Sequence, residues 1–95
     1  MSSSDPSHRS TAVFTIQAIA DPGVLPAALG LFAKHGLIPS RWVGNAHVGD
    51  DKLFLQVEFD TMADDEARRL ATGLRRLLCV ETVVTDAREL AVRRA

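Results

Sequence analysis

The stretch Lys52–Asp60, KLFLQVEFD, constrains this chain more than any other part of it. Leu53, Leu55, Val57 and Phe59 fall on one side of an extended backbone, and Phe54, Gln56 and Glu58 on the other. A period of two marks a strand with one buried face. A buried face requires other elements to cover it, and 95 residues, about one domain's length, must supply them.

Two further strands and a helix precede it. Ala12–Ala20, AVFTIQAIA, is short, apolar and β-branched and ends at Asp21-Pro22-Gly23, which predicts a largely buried strand. Residues 1–11 are Ser-rich at the start, lack apolar periodicity and read as a disordered leader. Val24, Leu25, Ala28, Leu29 and Phe32 share one helical face. Pro26 cannot sit deep in that helix, because its ring would clash with the carbonyl four residues back. A cap at Gly23 puts Pro26 third in the helix, where a missing N–H costs little; a cap at Asp21 would push it past the first turn. Gly23 is the preferred start. At the other end Gly36 suits a left-handed C-cap, with Lys34 and His35 in the last turn. Leu37–Val48 reads as a strand made irregular by Pro39 and Gly44, and a proline there points to a sheet edge or a bulge.

Beyond the Gly49-Asp50-Asp51 turn and the alternating strand, Thr61-x-x-Asp64 has the form of a loose capping box. Asp64, Asp65 and Glu66 load the first turn of a second helix with acid. Ala67, Leu70, Ala71, Leu74, Leu77 and Leu78 form its apolar stripe, and Arg68, Arg69, Arg75 and Arg76 take the other faces. Val80–Thr85 is a last strand, with Cys79 in front. Residues 87–95, ARELAVRRA, form a basic tail that frays or makes a short helix.

The order βαββαβ, with right-handed crossovers and a tight central hairpin, predicts an α+β ferredoxin-like sandwich over residues 12–86. Its sheet is four-stranded and antiparallel, with both helices on one face. That fold hosts enzymes, RNA binders, metal carriers and regulatory modules alike, so residue chemistry must choose between them. Eleven basic and twelve acidic residues give a net charge of −1, which does not favour a nucleic-acid binder. The central strands offer only Phe14 and Phe54 for base stacking, and the helix arginines lie on the wrong side of the sheet. A single cysteine excludes an internal disulfide and any CxxC metal site, so no metal and no cofactor is expected. The first loop lacks the arginine an acyl-phosphate hydrolase would need. His35 reads as helix-end electrostatics, His47 as an exposed strand residue, and His8 falls in the leader. No catalytic constellation emerges, and the chain is expected not to be an enzyme. With no apolar run at its start, it is expected in the cytoplasm and off the membrane.

The segment Asp21 to Trp42, DPGVLPAALGLFAKHGLIPSRW, carries a more specific pattern. Asp21, Pro22, Gly23, Val24, Leu25, Leu31-Phe32 and Gly36 resemble the first loop and helix of the ACT domain, an amino-acid-sensing module. Leu74–Val84, LRRLLCVETVV, is similar to a passage of acetolactate (acetohydroxyacid) synthase small subunits, and a lone domain of this length resembles their short type. The resemblance covers Ala12 to Asp86. It implies a non-catalytic regulatory subunit, homodimeric through an edge strand, acting on a large catalytic subunit of amino-acid metabolism. The alternative is a protein–protein adaptor of degenerate ACT fold with no small-molecule ligand.

In ACT dimers the ligand lies between the first loop of one protomer and the second strand of the other. The matching positions are Gly23, Val24 and Leu25 on one side and Gly36, Leu37 and Ile38 on the other. A glycine opening a helix lets a ligand approach the backbone, whose free N–H groups attract a carboxylate. A plain strand–turn–helix junction with a glycine C-cap accounts for the same residues without a ligand. Three departures weigh on that side. Ala20 and Ile38 stand where amino-acid-binding members carry polar side chains, Pro26 removes an N–H, and Asp21 repels a carboxylate, although it could accept from an ammonium. Trp42, on the strand expected at the edge, reads either as packing within the protomer or as an anchor of the dimer interface.

Overall fold

The alternating strand lies inside the sheet, where its one-sided apolar pattern belongs. The computed structural model describes residues 9–47 and 49–88. Its elements are β1 (Arg9–Ile19), α1 (Val24–Lys34), β2 (Arg41–His47), β3 (Lys52–Ala63), α2 (Asp64–Arg75) and β4 (Val80–Arg88). The four strands lie in the order β2-β3-β1-β4, every neighbour antiparallel, leaving β2 and β4 as edges. This is the ferredoxin-like sandwich expected from the sequence. Leu53, Leu55, Val57, Phe59 and Met62 of β3 are buried together with Ala12, Phe14, Ile16 and Ala18 of β1. Val24, Ala28 and Phe32 of α1 and Ala67, Leu70, Ala71 and Leu74 of α2 close over them.

Four aromatic rings thread this core. Phe14 meets Phe59 edge-to-face with centroids 5.8 Å apart, Phe59 meets Phe32 at 5.3 Å, and Phe32 meets Trp42 at 6.2 Å. The contacts run from β1 through β3 and α1 to β2, and each such pair adds about 0.5–1.5 kcal/mol beyond the area it buries. Trp42 is half-buried, so packing within the protomer is one of its roles.

Several boundaries differ from the sequence reading, each for a local reason. β1 starts at Arg9, inside the stretch read as a leader, because β3 runs on to Ala63 and offers a partner: Arg9 pairs with Ala63 and Ser10 with Met62. Ser10 and Thr11 are buried, and the Thr11 hydroxyl donates to the Asp60 carbonyl at 3.2 Å. Residues 1–8 of that leader lie outside the described residues. The same extension places the α2 N-cap at Ala63, with no side-chain cap, so Thr61 does not open a capping box. α2 stops at Arg75. Its end tightens through Arg76 N–H to Gly73 O and Leu77 N–H to Leu74 O, and Cys79 then turns the chain at φ 75°. Leu78, read as part of the buried stripe, is therefore 87% exposed. β4 continues to Arg88, taking Ala87 and Arg88 from the residues read as a tail; 89–95 lie outside the described residues.

The second strand begins at Arg41, not Leu37. α1 ends in a Schellman motif, with Gly36 at φ 70°, its N–H donating to Ala33 O at 3.0 Å and the Leu37 N–H to Phe32 O at 2.8 Å. Leu37 is thereby turned onto the core as the motif's apolar contact and is not available to a strand. The ladder is entered at Ser40, whose N–H donates to Glu58 O at 2.8 Å. Val48 lies outside the described residues.

On the open face of the sheet the Lys52 ammonium donates to both carboxylate oxygens of Glu81 at 2.8 Å, and Gln17 adds a bond at 3.2 Å. The hydrogen bond from Lys52 holds the Glu81 carboxyl below the usual carboxylate range. A depressed folded-state pKa contributes stability above the unfolded value and loses it as pH falls through the folded one. In an NMR titration the Glu81 carboxyl should titrate low, and Lys52→Met should return it toward the ordinary glutamate value. Phe32→Ala, which breaks two of the three aromatic contacts, should lower unfolding stability by about 3–5 kcal/mol in urea denaturation.

Candidate functional site

Between β1 and α1 the chain turns through Asp21-Pro22-Gly23. Gly23 is the N-cap, as its spacing to Pro26 predicts, and the surrounding amides are largely spoken for. The Gly23 N–H donates to Asp21 Oδ2 at 2.9 Å, and the Val24 N–H to the Asp21 carbonyl at 3.0 Å. Pro26 has no N–H, and the Ala27 N–H donates to Gly23 O at 3.1 Å. That leaves Leu25 as the one first-turn residue whose N–H has no acceptor among the described residues. A Cβ on Gly23 would lie 3.0 Å from Asp21 Oδ2. Glycine here admits a close approach by a carboxylate, and the carboxylate that takes it is the chain's own.

Beside this loop lies a shallow cavity of about 220 Å³, lined by Ala20, Asp21, Pro22, Leu25, Ala46 and Leu53. Its origin is in β2. The residues of β2 that alternate on the α1 side are Trp42, Gly44 and Ala46. Trp42 fills the gap under the C-terminal half of α1 by packing on Phe32. Leu55 covers Gly44 so closely that a Cβ there would come within 2.9 Å of its Cδ2. Ala46 fills nothing, and the space under the first turn of α1 stays open toward the β2 edge, where Ala46 and Leu25 are exposed.

The residues matched to a ligand site thus separate by role. Val24 is buried in the core. Gly23 and Leu25 border the loop and the cavity. Gly36 and Leu37 carry out the Schellman turn, while Ile38 is 89% exposed. The two groups sit at opposite ends of α1, whose 11 residues span about 16 Å, so one protomer does not bring them together. The sequence reading missed Ala20, Ala46 and Leu53 as cavity walls; the alternation Trp-x-Gly-x-Ala in β2 was the signal available.

α1 itself is unusual. Leu25 and Leu29 are 37% and 47% exposed, Pro26, Gly30 and Ala33 are exposed beside them, and Lys34 is the helix's only charge. A helix apolar all round is normally covered on all sides. α2, in contrast, turns Asp65, Arg68, Arg69 and Arg76 to solvent, with Arg69 bonded to Asp65 at 2.9 Å. That bond holds the Asp65 carboxyl below its ordinary value. Among the described residues no group of three or more His, Cys, Asp or Glu side chains could hold a metal, and no helix is long and apolar enough to cross a membrane. Phe14 is buried under the helices, leaving Phe54 the only central-strand aromatic on the open face, where it packs edge-to-face on His47.

A family model described as an ACT-like domain matches residues 5–92. The ACT domain of a GTP pyrophosphokinase from Chlorobium tepidum superposes with a TM-score of 0.71 at 20% identity, covering 83% of this chain and 100% of that one. An uncharacterized protein of Thermotoga maritima, TM1266, gives 0.70 at 14% identity over 84% of this chain and 98% of its own. A homoserine dehydrogenase from Thiobacillus denitrificans gives 0.73 at 14% identity over 90% of this chain and 19% of its own. These likenesses are of fold. Among curated proteins no sequence matches the chain.

Since the Asp21 carboxylate accepts the Gly23 N–H in the loop before α1, Asp21→Ala should cost about 1 kcal/mol of unfolding stability, the net worth of one hydrogen bond. Urea denaturation followed by circular dichroism measures it, and Asp21→Asn, which keeps an acceptor, should recover most of the loss.

Proposed function

Because the chain belongs to the ACT-like domain family, whose members are regulatory and often serve enzymes of amino-acid metabolism, we propose that it is a non-catalytic regulatory subunit or domain. It works as a homodimer on a larger catalytic partner, for which acetolactate synthase is the best single candidate. The observation that carries this proposal is the outer face of α1, apolar but for Lys34 in its last turn, beside the edge of β2, which is unpaired among the described residues. An apolar helix face of this kind is stable in water when a second surface covers it. A twofold pairing of two β2 edges covers both α1 faces at once and presents the same patch on each side.

In such a dimer Gly23 and Leu25 of one protomer lie toward Gly36, Leu37 and Ile38 of the other, so the two half-sites become one, with Trp42 under the seam. Regulation then acts through population shift: a ligand or a contact that binds one state of the catalytic partner better draws the equilibrium toward that state. The Asp21–Gly23 hydrogen bond favours the second reading, an adaptor whose input is a protein contact, because it occupies the amide that a ligand carboxylate would use.

A light-scattering mass together with a thermal-shift screen against the twenty amino acids tests both. A ligand that binds only the folded state adds about 2.7 kcal/mol of stability at 100 times its dissociation constant. A dimer stabilised by valine, leucine or isoleucine marks the sensor. A dimer indifferent to all twenty marks the adaptor, the outcome that the Asp21 contact favours. A monomer at tens of micromolar removes the homodimer from the proposal.

A further inference from the structure

We infer that this chain fills its own cavity: in the β2-paired dimer, Ile38 of each protomer inserts beside Leu25, Ala46 and Leu53 of the other. The inference rests on the homodimer proposed above. Two observations made independently of each other carry it. Ile38 is 89% exposed, the most exposed large aliphatic side chain among the described residues. It is held there by its neighbours, since the Schellman turn points Leu37 into the core and Pro39 restricts the residue before it. At the other end of α1 lies a largely apolar cavity of about 220 Å³ that no side chain among the described residues fills. A lone exposed isoleucine is ordinary; one paired with an unfilled apolar cavity on the same edge is a candidate knob and hole.

The topology brings the two together. β2 is an edge strand of seven residues centred on Gly44, and both helices lie on one face of the sheet. Pairing β2 antiparallel with its own copy about Gly44 continues the sheet and keeps all the helices on that face. It also sets the N-terminal end of each α1 against the C-terminal end of the other. Ile38 precedes β2 by three residues at the end of α1, and the cavity opens past Ala46 at the far end of β2. The strip between them, Leu25, Leu29 and Ala33, is apolar and exposed. The knob, the strip and the hole therefore repeat twice in one interface, as an isologous contact demands.

The polar half of the ligand position is closed in the same way, by the Asp21 carboxylate on the Gly23 amide. Dimerisation of this chain is then constitutive and needs no small molecule. Pro39 and the short ladder limit backbone pairing at this edge, which leaves the apolar insertion as the main source of affinity.

Sedimentation equilibrium of the full chain reads the outcome. Ile38→Asp should raise the dimer dissociation constant about 30-fold or more, the effect of removing an interface hot spot. Because Ile38 is exposed in the protomer, the variant should keep the circular dichroism of the folded chain. Ala46→Leu, which fills the cavity from within its own protomer, should weaken the dimer likewise, and Ile38→Val should not. A wild-type dimer left unchanged by both Ile38→Asp and Ala46→Leu overturns the insertion while the homodimer stands. A wild-type monomer overturns the homodimer and the insertion with it.

Discussion

The edge-to-face series Phe14–Phe59–Phe32–Trp42 is the contact on which the rest of this molecule depends. It fixes α1 above β2 and β3 at the C-terminal end of the helix, where three large rings occupy the space between helix and sheet. Among the described residues no aromatic ring lies under the first turn. Gly44 and Ala46 follow Trp42 along the same side of β2, both far smaller than the tryptophan. The cavity at Leu25 is the geometric consequence of anchoring a helix at one end over a strand whose later residues on that side are small.

The two halves of the chain share a topology and divide its chemistry. α2 has an acidic first turn and arginine toward its end, a distribution that suits the helix dipole and a solvated outer face. α1 has no acid in its first turn and one lysine in its last. Its stability therefore comes from packing, with Phe32, Ala28 and Val24 toward the sheet, while Leu25 and Leu29 are left exposed outside. The edges differ in the same sense. β4 is tied inward by Arg75 donating to Val83 O at 3.0 Å and by the Lys52–Glu81 pair. β2 has one charged side chain near its start, Arg41, which lies 4.0 Å from Glu58. Among the described residues the less protected side is the β2–α1 side.

The sequence made the interior of the elements legible and left their ends obscure. Alternation in Lys52–Asp60 located β3 because burial of one face leaves a direct imprint on residue type. The Gly23 start of α1 was legible from a steric rule about Pro26. The ends were set by partners remote in sequence: Ser10 and Thr11 look like disordered-tail residues until β3 extends to Met62 beside them. Leu37 and Leu78 show the same limit. Both are apolar residues near a helix end, yet the Schellman turn sends one inward and the Cys79 turn leaves the other in solvent. The glycines of the candidate site were legible, but the Asp21 carboxylate on Gly23 was not, since a side chain that satisfies its own loop looks the same in sequence as one that waits for a ligand.

Magnitudes decide what that carboxylate means for the site. A second carboxylate placed about 4 Å from Asp21 meets a repulsion of about 4 kcal/mol at an effective dielectric of about 20. The helix terminus offers it about 0.3–1 kcal/mol in return. Asp21 is exposed, and screening by solvent brings the repulsion down to about 1 kcal/mol, the upper end of that attraction, so the two nearly cancel. An amino acid binding through its carboxylate would also have to displace Asp21 from Gly23 and leave Leu25 as its sole first-turn amide donor. The wall beyond is apolar, so a ligand carboxylate would gain no further partner there. What the site accommodates on these terms is an uncharged aliphatic group, and the chain carries one, exposed and level with the same edge, in Ile38. In the proposed dimer both half-sites are satisfied from within, and on that proposal the regulatory input passes from a small molecule to a protein surface.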